Sequence, residues 1–173
     1  MTTEFRRRGD GQGYSSPSHL SVRAATSNRP WMLVGVDGFP DSERALRRAV
    51  EISKVSDAVI CPVFVEEALP ALEIAALTAP GSKPGALEEI YVEHYKKARE
   101  QVLHATEELS VDIGPLLVVQ GRPADVLIHL ALELRCDLIV LGRRARGFLH
   151  RLRRGSTAQA VVARAPCPVL VVP

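Results

Sequence analysis

The chain has 173 residues, a length that suits one domain with a sizeable buried core. Its composition, 46% hydrophobic, 24% charged and 5% aromatic, excludes fibrous, collagenous and wholly disordered classes and predicts a core of aliphatic side chains. The 22 Lys and Arg against 20 Asp and Glu leave a net +2 that hides an uneven distribution: residues 1–30 sum to +3, residues 143–154 hold six arginines and no acid, and the other positions from 31 onward sum to −7. A mildly acidic body with one basic loop predicts a local anion site rather than a nucleic-acid-binding face. Apolar runs such as 111–119 and 166–173 fall short of the roughly 20 residues that span a bilayer. No apolar stretch follows Arg6, Arg7 and Arg8, so a cytoplasmic protein without membrane or nucleic-acid partners is expected. Cys61, Cys136 and Cys167 are odd in number and widely spaced, which predicts reduced, half-buried thiols.

Residues 1–30 lack hydrophobic periodicity and are expected to form a disordered tail, with one domain over 31–173. Gly9, Gly11 and Gly13 imitate part of a GxGxxG signature, but no strand precedes them and no helix follows. A near-continuous apolar run at 32–36 predicts a strand buried on both faces, ending in the turn Asp37-Gly38-Phe39-Pro40. From about Asp41 a helix is expected, with Ala45, Leu46, Ala49, Val50 and Ser53 on one stripe and an acidic first turn. A second strand is predicted at 58–65, where Pro62 argues for a bulge or a position near an edge.

Residues 66–85 read as a linker with a short helical piece at 72–77. A long helix follows, carrying Leu87, Tyr91, Tyr95, Ala98, Val102, Ala105 and Leu109 on one stripe. A third strand is predicted at 116–119, and the turn Gln120-Gly121-Arg122-Pro123 opens a helix with Val126, Leu127, Leu130, Ala131 and Leu134 on a shared face and Pro123 at its first position. A fourth strand at 137–142 precedes the basic loop, Gly155-Ser156-Thr157 starts a short helix through 163, and 169–172 forms a fifth strand. Alternating strands and helices predict an α/β fold with a five-stranded parallel sheet and helices on both faces. Ligands of such sheets bind outside the carboxyl ends of the strands, so the turns after Val36, Val65 and Leu141 are the places for chemistry.

After Gly142 come twelve loop residues and then Gly155-Ser156-Thr157 at a helix start. Free backbone N–H groups and the positive end of a helix dipole suit a phosphate there, with Gly142 and Gly155 permitting close approach and Ser156 and Thr157 adding hydroxyl donors. An ordinary glycine turn is the competing reading. Asp37, at a strand carboxyl end, has two readings: acceptor for ribose hydroxyls, or cap and shaper of the turn that follows.

The segments Val34-Gly35-Val36-Asp37, Gly121-Arg122-Pro123, Asp137-Leu138-Ile139-Val140-Leu141-Gly142, Gly155-Ser156 and Ala165-Pro166-Cys167-Pro168-Val169-Leu170-Val171-Val172 together resemble the universal stress protein family, in order and spacing, from about Trp31 onward. The resemblance implies a Rossmann-like sheet of the adenine nucleotide alpha hydrolase-like type. Nucleotide-binding members carry glycine, two residues, glycine, nine residues, glycine, then serine or threonine. Here Gly142, Arg143, Arg144 and Ala145 precede nine residues and Gly155-Ser156, so the spacing is intact and Ala145 replaces the second glycine. A left-handed backbone would cost Ala145 roughly 1–2 kcal/mol, whereas an ordinary one would leave its N–H available to phosphate. The resemblance further implies ATP with Mg2+ as cofactor, Asp37 at the adenosine end, the Phe64 backbone against adenine, and Gly35 and Thr157 at lining positions. Arg143, Arg144 and Arg146 carry charge suited to a triphosphate, although loop arginines are commonly only solvated.

Catalytic signatures are missing from the sequence: there is no GxSxG, no GxxxxGKS and no HExxH, and His94 and His104 fall on different faces of the long helix. The fifth strand is expected at a sheet edge, which invites pairing with a second copy, and similar proteins dimerise through it. An ATP-binding stress-response module is therefore the leading expectation, and a family scaffold acting through protein contacts is the alternative.

Overall fold

A computed structural model of the chain describes residues 29–67, 86–107, 111–143 and 157–173. The order of elements is β1 (Trp31–Gly35), α1 (Pro40–Ser56), β2 (Val59–Glu66), α2 (Ala86–Glu107), β3 (Leu117–Gln120), α3 (Pro123–Glu133), β4 (Leu138–Gly142), α4 (Thr157–Arg164) and β5 (Val169–Val172). All strands pair in parallel, in the order β3-β2-β1-β4-β5. The predicted five-stranded α/β sheet is thus present, with boundaries shifted by a residue or so at several ends. The helical piece expected at 72–77 lies outside the described residues.

Alternation along the strands divides the core in two. Met32, Val34, Ile60, Phe64 and Val140 face one side with α1 and α2, whereas Leu33, Cys61, Val63, Ile139 and Leu141 face the other with α3 and α4. Every residue of the α1 stripe is buried, as are Ala98, Val102 and Ala105 of α2 and all five predicted positions on the apolar face of α3. Pro40 and Pro123 occupy first helical turns, where a missing N–H costs nothing. Helix α1 ends at Asp57, in a left-handed conformation with its N–H on the Ser53 carbonyl at 2.9 Å. Cys61 and Cys136 are buried rather than half-buried, and Cys167 is intermediate.

Pro62 is fully buried in β2, one strand in from the edge strand β3, so its position is near an edge as expected without being on it. The expected bulge explains how it is tolerated inside a paired strand. Gly114 N–H donates to the Ile60 carbonyl at 2.8 Å and Gly121 N–H to the Glu66 carbonyl at 3.1 Å, so the even-numbered residues of β2 direct their main-chain groups toward β3. Between the bridge Ile60↔Ile113 and the pair Val63↔Leu117 the offset grows by one residue, and the ladder is interrupted where proline has no donor to give.

Arg29 and Pro30, assigned to the tail from sequence, are tied into the amino end of the sheet. Pro30 carbonyl accepts from Val59 N–H at 2.8 Å, and Arg29 bonds to Asp57 Oδ1 at 2.8 Å and Asp112 Oδ2 at 2.7 Å. The rest of 1–30 lies outside the described residues.

Candidate functional site

Strand order reverses between β1 and β4, and their carboxyl ends form the switch point of the sheet. Asp37 leaves β1 there, two residues past its last strand position. Its carboxylate Oδ1 accepts the Phe39 N–H at 3.1 Å, and its own N–H donates to Ser42 Oγ at 3.2 Å. Asp37 therefore shapes the turn into α1, one of its two readings from sequence. Burial pushes the Asp37 carboxyl above the usual carboxylate range, opposed by hydrogen bonds from Ser42 and the Phe39 N–H; the charge of Asp41 adds to the rise and His94 reduces it.

Gly142 ends β4 against the first turn of α1. A Cβ at this position would lie 2.5 Å from the Asp41 carbonyl oxygen, a distance that excludes any side chain unless the backbone moves. Asp41 is in turn paired with Arg44, whose Nε donates to the Pro173 carbonyl at 2.8 Å. Arg143 follows, exposed, with its N–H on the Val172 carbonyl at 2.6 Å. Thr157, half-buried, opens α4, and the parallel topology directs the N-terminus of that helix to the same carboxyl edge. The switch point thus gathers an acid, a cation and two helix N-termini, a combination suited to a polar, anionic ligand.

Two other predicted positions are turned into the protein. The space beside Gly35 is taken by Leu141, whose Cδ2 would lie 2.8 Å from a Cβ there. The Phe64 ring is buried and meets Tyr95 edge-on, with centroids 5.9 Å apart, and in the ladder Phe64 stands opposite Val118. Arg144, Ala145, Gly155 and Ser156 lie outside the described residues. Among the described residues no group of three His, Cys, Asp or Glu side chains is arranged to hold a metal ion, and no helix is long and apolar enough to cross a membrane.

Sequence reasoning missed Ser42 and Gln101. Ser42 is buried, and Gln101 Nε2 donates to the Phe39 carbonyl at 3.0 Å. Ser42 precedes Ala45 and Leu46 at helical spacing, so its place on the inward stripe was a usable signal.

The sequence model of the universal stress protein family matches residues 31–173. A universal stress protein of Methanocaldococcus jannaschii is 32% identical over 141 residues, covering 82% of this chain and 80% of the relative. Among solved structures, the universal stress protein UspA from Lactobacillus plantarum superposes with a TM-score of 0.64 at 26% identity, covering 86% of this chain and 100% of the other. A universal stress protein solved in complex with cAMP superposes with a TM-score of 0.58 at 27% identity, covering 84% and 98%. With the parallel sheet, its order and its switch point already in view, these matches establish that the chain belongs to the universal stress protein family.

Proposed function

We propose that this protein binds an adenine nucleotide, ATP with Mg2+, at the carboxyl ends of β1 and β4, and serves in the cytoplasm as a stress-response regulatory module. The observation that carries the reading is the convergence of Asp37, Gly142 and Arg143 at the switch point, with the α4 N-terminus on the same edge. Asp37 is assigned to the ribose hydroxyls. Arg143, Arg144, the backbone at Ala145, and Gly155, Ser156 and Thr157 are assigned to the phosphates, Gly142 to close backbone approach, Gly35 to the floor and the Phe64 main chain to the base. Mg2+ would supply charge neutralisation between the phosphates. The related protein solved with cAMP supports an adenine nucleotide as ligand class. The proposed activity is binding, with any ATP hydrolysis slow and incidental. The domain over 31–173 is further proposed to form a homodimer through β5, whose outer edge is unpaired among the described residues.

Calorimetric titration with ATP and Mg2+ tests the reading, with micromolar affinity expected, about −8 kcal/mol. Gly155→Val abolishes binding while the fold is retained. Absence of heat and of thermal shift at millimolar nucleotide refutes the assignment and leaves a scaffold that acts through protein contacts.

A further inference from the structure

The turn that presents Asp37 is held at three points. Helix α2 presses on it from outside: Gly38 has φ +82°, and a Cβ there would lie 2.7 Å from Lys97 Cβ and 2.8 Å from the His94 carbonyl oxygen. Gln101 Nε2 donates to the Phe39 carbonyl at 3.0 Å, and the Phe39 ring meets the His94 ring edge-on at 5.1 Å. The third point is Ser42, buried in the first turn of α1, and it reaches the main chain of Asp37 itself. The Asp37 N–H donates to Ser42 Oγ at 3.2 Å, and Ser42 Oγ donates to the Phe39 carbonyl at 2.9 Å. A hydroxyl accepts and donates at once, so one buried atom closes the loop from residue 37 to residue 39. The carboxylate belongs to the same loop, because Asp37 Oδ1 accepts the Phe39 N–H at 3.1 Å. Its direction is therefore set by the main-chain path that Ser42 fixes.

We propose that Ser42 is a positioning residue for the ribose end of the nucleotide: by holding the Asp37 main chain it aims the Asp37 carboxylate at the sugar hydroxyls. The inference rests on the nucleotide reading and names, within it, what makes the site select a ribose. Removing the hydroxyl leaves α2 against Gly38 and Gln101 on the Phe39 carbonyl, so the turn keeps its place while residue 37 loses its tether. The carboxylate then samples several orientations, whereas a charge-assisted hydrogen bond depends on one. The base and the phosphates are assigned to other residues, so the loss falls on the ribose.

The test is calorimetric titration of ATP and of dideoxyATP, which lacks both ribose hydroxyls, each with Mg2+. The full chain is titrated as wild type, Ser42→Ala, Asp37→Ala and the double variant. Wild type prefers ATP by about tenfold, the worth of one hydrogen bond to a charged group. In Ser42→Ala the affinity for ATP falls about fivefold while that for dideoxyATP changes by no more than about twofold. In the Asp37→Ala background Ser42→Ala leaves the preference where it was, because the two residues act as one unit. A serine with only a structural role weakens both nucleotides alike, and that result overturns the proposal while the nucleotide reading stands. A wild type that binds the two nucleotides equally overturns it as well. Should Ser42→Ala not fold, Ser42→Cys decides by the same measure, since it fills the space with a weak acceptor. A wild type that takes up neither nucleotide refutes the nucleotide reading, and the positioning role with it.

Discussion

Gly142, the last residue of β4, lies directly against the main chain of Asp41 in the first turn of α1: a Cβ on Gly142 would stand 2.5 Å from the Asp41 carbonyl oxygen and 2.6 Å from its carbonyl carbon. The contact joins the two strand exits of the switch point. Because the obstacle is backbone, no rotamer change relieves it.

Replacing Gly142 by Ala therefore forces β4 and α1 apart. A loss of about 1–3 kcal/mol is expected, the range of overpacking in a well-fitted core, together with weaker nucleotide binding. Urea denaturation monitored by circular dichroism measures it, and an unchanged midpoint would show that the helix start yields freely.

Asp37 holds its proton more tightly in the native state than in the unfolded chain, since burial raises its carboxyl. Its contribution to stability is present below the ordinary carboxylate range and is lost as pH rises through the raised native value. Asp37→Asn keeps an acceptor for the Phe39 N–H and carries no charge, so at neutral pH it is at least as stable as wild type while losing nucleotide affinity. Melting temperatures from pH 4 to 8 check this; a variant less stable at pH 7 than at pH 4, relative to wild type, contradicts it.

The register of β5 separates two proline substitutions. Arg143 N–H donates to the Val172 carbonyl and Ile139 N–H to the Pro168 carbonyl, so the even-numbered residues of β5 face β4 and Val171 directs its N–H outward. Val171→Pro removes an outward donor and weakens the proposed dimer while the domain stays folded, whereas Leu170→Pro breaks the internal ladder and unfolds it. Sedimentation of both variants beside wild type distinguishes the effects; a wild type that sediments as a monomer at high concentration removes the interface.

Arg29 bridges the left-handed helix cap Asp57 and the approach to β3 at Asp112, and its hydrogen bond to Asp112 is the foremost cause holding the guanidinium pKa above its ordinary value. Arg29→Ala lowers the melting temperature modestly, and the difference shrinks in high salt because the acids are exposed. A difference insensitive to salt would assign the effect to the hydrogen bond on the Asp57 carbonyl instead.

Local pattern alone determined the fold class. Apolar runs too continuous for one buried face require burial on both, and the stripes of α1 and α3 require a sheet to cover, so a parallel α/β sheet follows from residues a few positions apart. The spacing from Gly142 to Gly155 and the arginines between them were likewise legible without coordinates. Only tertiary structure decided what depends on distant partners. It set Pro62 opposite an interrupted ladder inside the sheet, and turned Val171 rather than Leu170 to the edge. It also filled the space beside Gly35 with Leu141 and brought Gln101 to a turn 62 residues earlier in the chain. Such relationships are set by strand order and by close packing between elements, and neither leaves a periodic trace in the chain.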